Sequence, residues 1–305
     1  MSDNEKEMLS RRALVTGVTG LALGAGSAAS AQFKIDLGAI SDIGRMLTGI
    51  NLDEEDEIAI GDRLFGSLIQ SMGGVYRNSA AQSAVSKIAT GLFEASARQA
   101  FGWDVAIVDN NEVNAWALPG GKVGVNKGLL RYVDSEDELA AVIAHEMGHA
   151  ELSHAVEEMK KKAFYSGLSQ AGQVAAATAI DNSKARSGAL MGMQILEAPM
   201  LRLVTSGYSR ERELEADMHI VDVFAKTGYS VTRGTRFYET LLDLIPERQK
   251  GTTSLFAGHP QTKKRLAALQ EASAGSPEVE QSVSYEYFLL KETFPTRKIY
   301  KRATG

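Results

Sequence analysis

The order of apolar and polar positions divides the chain into helix-period and strand-period stretches. Asp53 to Glu57 place acids where a helix running to about Met72 would begin, a position that suits the helix dipole, and they are read as its solvated first turn. A second helix is predicted over Ser79 to Gln99, with Val85, Ile88, Leu92 and Phe93 as its apolar stripe. The period then drops to two. Trp103, Val105 and Ile107 alternate with Asp104, Ala106 and Val108, the signature of a strand. Asn110-Asn111 turns the chain, and Val113 to Leu118 and Lys122 to Val125 flank Pro119-Gly120-Gly121, a turn built from proline's fixed dihedral and glycine's freedom. These strands predict a small antiparallel sheet.

The helical period then returns. Ser135-Glu136-Asp137-Glu138 has the form of a capping box, and the helix it opens is predicted to reach about Lys162. Its inward face would carry Leu139, Val142 and Ile143, then Leu152, Val156 and Met159. Two segments, 164–180 and 187–205, are weakly apolar and interrupted by Gln170, Gln173, Glu197 and Arg202; they read as packed helices or a cover, not as membrane spans. Gly207-Tyr208-Ser209 precedes a helix from Arg210 to Lys226, stopped by Gly228, with Leu214, Met218, Val221 and Phe224 or Ala225 as its core stripe. Further helices are expected from Thr232 to Ile245, halted at Pro246, and from Pro260 to Ala272 with Leu266 and Leu269 inward. Val283 to Leu290 would add a strand or short helix. The whole predicts an α+β, mainly helical domain over 53–272, with its small sheet beside the helix that starts at Ser135. A lead-in (32–52) and a tail (273–305) flank it.

The composition of the 305 residues, 44% apolar and 23% charged, is that of a globular protein. A formal net charge of -5 with no basic stripe argues against a nucleic-acid partner. With no cysteine in the chain, a bound metal would have to be held by histidine and carboxylate. At the N-terminus, Ser10-Arg11-Arg12 precedes a glycine-rich apolar run from Ala13 to about Gly26, and Ala29-Ser30-Ala31 follows as a cleavage site. That is the build of a bacterial signal peptide over 1–31, and its arginine pair resembles the twin-arginine type. It predicts export to the periplasm, with no membrane span after cleavage and, lacking a cysteine beyond the apolar run, no lipid anchor.

The chemistry concentrates in His145-Glu146-Met147-Gly148-His149, an H-E-x-x-H motif holding two of the five histidines. Residues four apart on a helix stand one above the other, so His145 and His149 can point two imidazoles at one metal ion. Glu146 reaches the edge of the same site and can take a proton from a bound water. Hydrolytic zinc sites usually add a third protein ligand. Glu213 and Asp217 share a face of the 210–226 helix beside small Ala216; Glu213 would be the ligand and Asp217 the acceptor of a ligating histidine's other N–H. Glu211 and Glu215 form a rival pair on a neighbouring face, and spacing leaves both open. His154, five residues past His149, and His219 are assigned structural or exposed positions on helical geometry. The strand edge at Asn114, Ala115, Trp116, Pro119 and Gly120 reads either as a scaffold hairpin or as an edge on which an extended peptide adds.

Several of these runs resemble one family, in order: Asn114-Ala115-Trp116-Ala117-Leu118-Pro119-Gly120-Gly121, Gly128-Leu129-Leu130, H-E-M-G-H, Ser209-Arg210 with Glu213-Leu214-Glu215-Ala216-Asp217, and His259-Pro260. They are similar to the zinc metalloendopeptidases of peptidase family M48, which include the HtpX-like and Ste-type CAAX prenyl proteases. The resemblance implies a zincin-like metallopeptidase domain, Glu213 as third ligand of a single Zn2+, Asp217 as its neighbour, and protein or peptide substrates. This chain lacks the transmembrane helices of the membrane members, the lipoprotein cysteine and the C-terminal repeat domain of other relatives. It therefore looks like a soluble periplasmic branch acting on damaged envelope proteins. Tyr208, Arg210 and His259 are candidates for the donor to the oxyanion, and His259 could instead be a fourth ligand of a latent form. A chaperone-like binding protein with low turnover, or a zinc hydrolase of a non-peptide bond, would keep the same residues.

Overall fold

Asp53 caps the first helix, accepting from Asp56 N at 3.0 Å while Asp56 accepts from Asp53 N at 3.2 Å. The structure is a computed structural model that describes residues 53–161, 200, 202–203, 207–248, 259, 263–274 and 283–297. The leader, the lead-in and nearly all of the 164–180 and 187–205 segments lie outside the described residues. Helix α1 is Glu54–Ser71 and α2 is Ser79–Phe93. Helix α2 stops short of Gln99 because the Gln99 amide folds back and donates to the carbonyls of Phe93, Glu94 and Ser96, taking up the chain's last helical acceptors. The acidic start of α1 is not wholly solvated. Glu57 is buried, and Arg98 reaches both Glu54 and Glu57 at 3.1 Å.

Strands β1 (Asp104–Val108), β2 (Ala115–Leu118) and β3 (Lys122–Asn126) form one sheet in the order β1-β3-β2. β2 and β3 make the expected antiparallel hairpin, Trp116 opposite Gly124. β1 runs parallel to β3, Val105 opposite Val123, so the sheet is mixed rather than antiparallel. The Asn110-Asn111 turn does not fold β2 back onto β1. It carries the chain past the end of β3 to the far edge, and at that crossing Gly128 N donates to Asn110 O and a Cβ on Gly128 would stand 2.1 Å from Asn111 O. One sheet face (Ala115, Ala117, Val123, Val125) enters the main core. On the other, Trp116 lies across Gly124 and meets Phe65 of α1 edge-on at 5.9 Å.

Helix α3 (Glu136–Glu151) runs through the middle of the domain, with every residue from Asp137 to Ala150 buried. A helix enclosed on all sides cannot show a clean stripe, which is why its pattern is weakly amphipathic. Ser135 caps it by accepting from Glu138 N at 3.2 Å, while Glu138 reaches past Ser135 to Asp134 N at 2.8 Å. The helix ends at Glu151, eleven residues before the expected Lys162, because Ser153 adopts a left-handed φ of 53°; helical residues resume at 154. Val156 and Met159 are buried as expected, but Leu152 is 42% exposed.

Helix α4 (Arg210–Thr227) is capped by Ser209 and ended by Gly228 at φ 78°. Its buried residues are Glu213, Ala216, Asp217, Ile220, Val223 and Phe224, a face rotated from the predicted stripe. The polar site residues occupy the inward face, and the apolar pattern followed the flank. A short α5 (Val231–Gly234) and α6 (Arg236–Arg248) replace one helix over 232–245, and α6 runs past Pro246. Helix α7 is Lys263–Ala272, with Leu269 buried, and 260–262 lie outside the described residues. Helix α8 (Tyr285–Thr293) sends Tyr287 and Leu290 into the same core as α2. Among the described residues, no helix is long and apolar enough to cross a membrane.

Candidate metal centre

The last two turns of α3 bring His145 and His149 onto the side that faces α4. Their approach depends on two small residues. A Cβ on Gly148 would stand 2.9 Å from His219 Cβ and 3.0 Å from Ala216 Cα, so the helices cross where neither side has bulk. At that crossing Glu213 comes within reach of both imidazoles, its oxygens 3.6 Å from His145 Nε2 and 3.6 Å from His149 Nε2. The two Nε2 atoms are 3.2 Å apart. His259 completes the group, with Nδ1 3.2 Å from His145 Nε2 and 3.2 Å from each Glu213 oxygen. All four residues are buried.

This geometry fits a metal ion. Bonds of about 2.0–2.1 Å in a tetrahedral site put ligand atoms roughly 3.4 Å apart, and the separations of His145 from His149 and His259, and of Glu213 from all three histidines, run from 3.2 to 3.6 Å. Three ring nitrogens converging on one point cannot all donate to one another, whereas lone pairs from each can share a cation. Charge agrees. Burial works against ionising Glu213, yet His259 and His145 hold its carboxyl far below the usual carboxylate range. Burial likewise opposes ionisation of Asp217, but Arg265 and His145 keep it charged. Burial and the neighbouring His145 push His149 well below its ordinary value, leaving its ring neutral. Burial alone would lower His145, but Asp217 and Glu213 outweigh it and raise the ring to about 9. A proton there balances the carboxylates, and a bound cation would take over that role.

Around this group stand the other expected residues. His145 Nδ1 lies 3.1 Å from Asp217 Oδ1, off the line of a well-formed hydrogen bond. Glu146 is buried, its Oε1 3.4 Å from His259 Nε2 and its Oε2 without a hydrogen-bond partner among the described residues. Burial raises its carboxyl above the ordinary value. Tyr208 stacks on the His149 ring at 4.1 Å between centroids. Arg210 is exposed at the start of α4 and makes no contact with the cluster among the described residues. β2 is an edge of its sheet, but Asn114, Ala115, Trp116, Pro119 and Gly120 are all buried. The turn is pressed on α1, where a Cβ on Gly120 would meet Ile58 Cα at 2.6 Å. Of the rival pair, Glu211 is exposed, and Glu215 contacts Arg212 and His154 instead of the centre.

One group escapes sequence reading, and a second, His154, reads there as structural or exposed, without its contact to His149. Arg265 of α7 forms a fork on Asp217 (Nε to Oδ2 and Nη2 to Oδ1, both 2.6 Å) and reaches Glu213 Oε2 at 2.7 Å. An arginine four residues before inward-facing Leu269 was the available signal. His154 is fully buried against His149, reached through the break at Ser153, which no periodicity shows. Burial and the charge of Arg212 bring His154 down to about 4.

A mainly helical domain, with a small sheet beside an H-E-x-x-H helix and a carboxylate brought in from a second helix, defines the metallopeptidase class. Sequence comparison agrees, since residues 77–273 match peptidase family M48. The chain belongs to that family, whose members are metal-dependent proteases. It is 32% identical over 164 residues to the metalloprotease YcaL of Escherichia coli, covering 54% of this chain and 59% of that one. It is 30% identical over 191 residues to the beta-barrel assembly-enhancing protease of the same bacterium, covering 61% of this chain and 37% of the relative. With the mitochondrial metalloendopeptidase OMA1 of Arabidopsis thaliana it shares 31% over 171 residues, or 56% and 32% of the two chains. The chain thus spans between about a third and three fifths of these relatives.

Proposed function

We propose that the chain is a zinc-dependent endopeptidase, with His145, His149 and Glu213 as metal ligands and Glu146 as general base. The carrying observation is the set of buried donor atoms at tetrahedral spacing, with the Glu146 carboxylate at their margin. Zinc, when bound there, would acidify a water and polarise the scissile carbonyl. Glu146 would take the proton from that water and pass it to the leaving amine; its raised pKa suits it to hold the proton between the two steps. Asp217, itself gripped by Arg265, would hold His145 in register. The stacking of Tyr208 on the His149 ring and the 3.4 Å approach of His259 Nε2 to Glu146 Oε1 support these two as the candidates to donate to the oxyanion. Substrate would lie extended along β2, whose one side pairs with β3 and whose other carries no strand among the described residues. The twin-arginine-like leader supports a periplasmic enzyme acting on envelope proteins, misfolded ones included. The name of the assembly-enhancing relative is in keeping with that setting.

The test is cleavage of casein as an unfolded substrate, alongside metal analysis of the purified protein. Glu146→Gln should lower cleavage by about 10²- to 10⁴-fold while zinc content stays at one per chain. Glu213→Ala should lose the zinc, with Glu211→Ala and Glu215→Ala retaining at least part of it. Proteolysis that survives both Glu146→Gln and a zinc chelator refutes the reading. Suppression of aggregation without cleavage in the wild type would favour a chaperone-like role.

A further inference from the structure

Past the H-E-x-x-H turns the chain does something that a continuous helix would not. On an unbroken helix, a residue five positions after His149 would point about 140° away from it. Here Ser153 takes its left-handed φ of 53°, and His154 comes back with Nδ1 2.8 Å from His149 Nδ1. The bend is tied down from outside α3. Ser153 Oγ donates to Glu57 Oε1 at 2.7 Å, and Arg98 Nη1 donates to Ser153 Oγ at 2.9 Å and to Glu57 Oε1 at 3.1 Å. The other His154 nitrogen, Nε2, lies 3.0 Å from Glu215 Oε2, an oxygen that also accepts from Arg212 Nη1 at 3.2 Å.

These contacts fix an order of protons. An ionised carboxylate only accepts, so His154 Nε2 carries the hydrogen that points at Glu215. A neutral imidazole protonated there has a bare Nδ1, and His149 Nδ1 must then be the donor across the 2.8 Å contact. His149 Nε2 is left with its lone pair, and that is the atom 3.2 Å from His145 Nε2 and 3.6 Å from Glu213 Oε1. Building on the metal-centre reading above, we infer that His154, held by Glu215, is the positioning residue that sets His149 in the rotation and tautomer that present Nε2 to a divalent cation. The two imidazoles of the motif are thus oriented from different sides, His145 by Asp217 on the inward face of α4 and His149 by a histidine delivered through a backbone break.

The test uses the full chain and three variants. His154→Leu removes the acceptor while filling most of the buried space. His154→Asn returns a carbonyl oxygen near the position of Nδ1. Glu215→Ala removes a side chain that is 50% exposed, so folding is not at issue. Zinc affinity is measured by competition with a chromophoric chelator, and the ligand field by the visible spectrum of protein loaded with Co2+. His154→Leu should bind zinc about 10- to 100-fold more weakly and alter the cobalt spectrum, His154→Asn should recover most of both, and Glu215→Ala should fall between. A folded His154→Leu with affinity within about twofold of wild type, or a His154→Asn as weak as His154→Leu, overturns the inference. Should His154→Leu fail to fold, Glu215→Ala decides: weaker zinc binding supports the relay, and unchanged binding sinks it. Wild-type protein that takes up no stoichiometric zinc, or His149→Ala that binds as wild type does, would remove the metal centre and this inference together.

Discussion

The two ends of α3 both turn ionisable side chains toward the protein interior, and they treat them in opposite ways. At the first turn every carboxylate is answered. Glu136 accepts from Tyr229 Oη at 2.9 Å and from Ser284 N at 3.1 Å, Asp137 from Ser230 N at 2.7 Å and Arg233 Nε at 2.9 Å, and Glu138 from Asp134 N at 2.8 Å. At the last two turns, ring nitrogens and a carboxylate face one another at 3.2 to 3.6 Å, and one Glu146 oxygen has no partner among the described residues. A buried polar group without a partner costs stability. The first arrangement holds the domain together. The second gathers lone pairs and carboxylate oxygens in the arrangement that suits a shared cation.

The sharpest way to break this contrast is Arg265→Leu, which leaves Glu213 and Asp217 as buried charges without their guanidinium. It should destabilise the metal-free protein by about 3–5 kcal/mol. Excess zinc should recover part of that, which a thermal melt with and without the metal would read. A smaller effect is expected of Gly148→Ala. The added methyl would stand about 3 Å from His219 and Ala216, forcing α3 and α4 apart for about 1–3 kcal/mol and weakening zinc binding. The smallest and most diagnostic change is Glu138→Gln at the closed end. Burial pushes the Glu138 carboxyl up to about 7, so the folded protein keeps a proton that the unfolded chain loses near its ordinary value of 4.5. Wild-type stability from this group is therefore lost as pH rises from about 4.5 to about 7. The glutamine variant lacks that dependence and should gain on wild type across the window by on the order of 1–2 kcal/mol, read as the difference between two denaturant titration series. Equal slopes in the two series would show that the end is closed by something other than a held proton.

How much of this was legible beforehand depended on whether local spacing or tertiary contact set the feature. The H-E-x-x-H pair follows from helical periodicity, while spacing leaves Glu213/Asp217 and Glu211/Glu215 both open and only the family resemblance singles out the first; the structure brings His145, His149, Glu213 and Asp217 together. The α4 stripe was misjudged because periodicity searches for apolar residues, while the buried face here carries Glu213 and Asp217. Arg265 shares the inward face with Leu269, but an isolated cation on a helix reads as solvent-facing until its partners are known. The parallel pairing of β1 with β3 turned on where the 109–114 segment leads, which turn chemistry at Asn110 does not state. Glu57 looked like part of a solvated acidic start because its partner Arg98 lies 41 residues away.

Ser153 has one more consequence. A single left-handed residue resets the angular phase of the helix, so the helical wheel of α3 says nothing about the residues beyond it. Distance along the chain, counted in whole residues from His149, becomes the constrained quantity. One residue inserted or deleted between 149 and 154 would swing the downstream imidazole by roughly 100° and leave His149 facing a different neighbour, even with every residue of the motif intact.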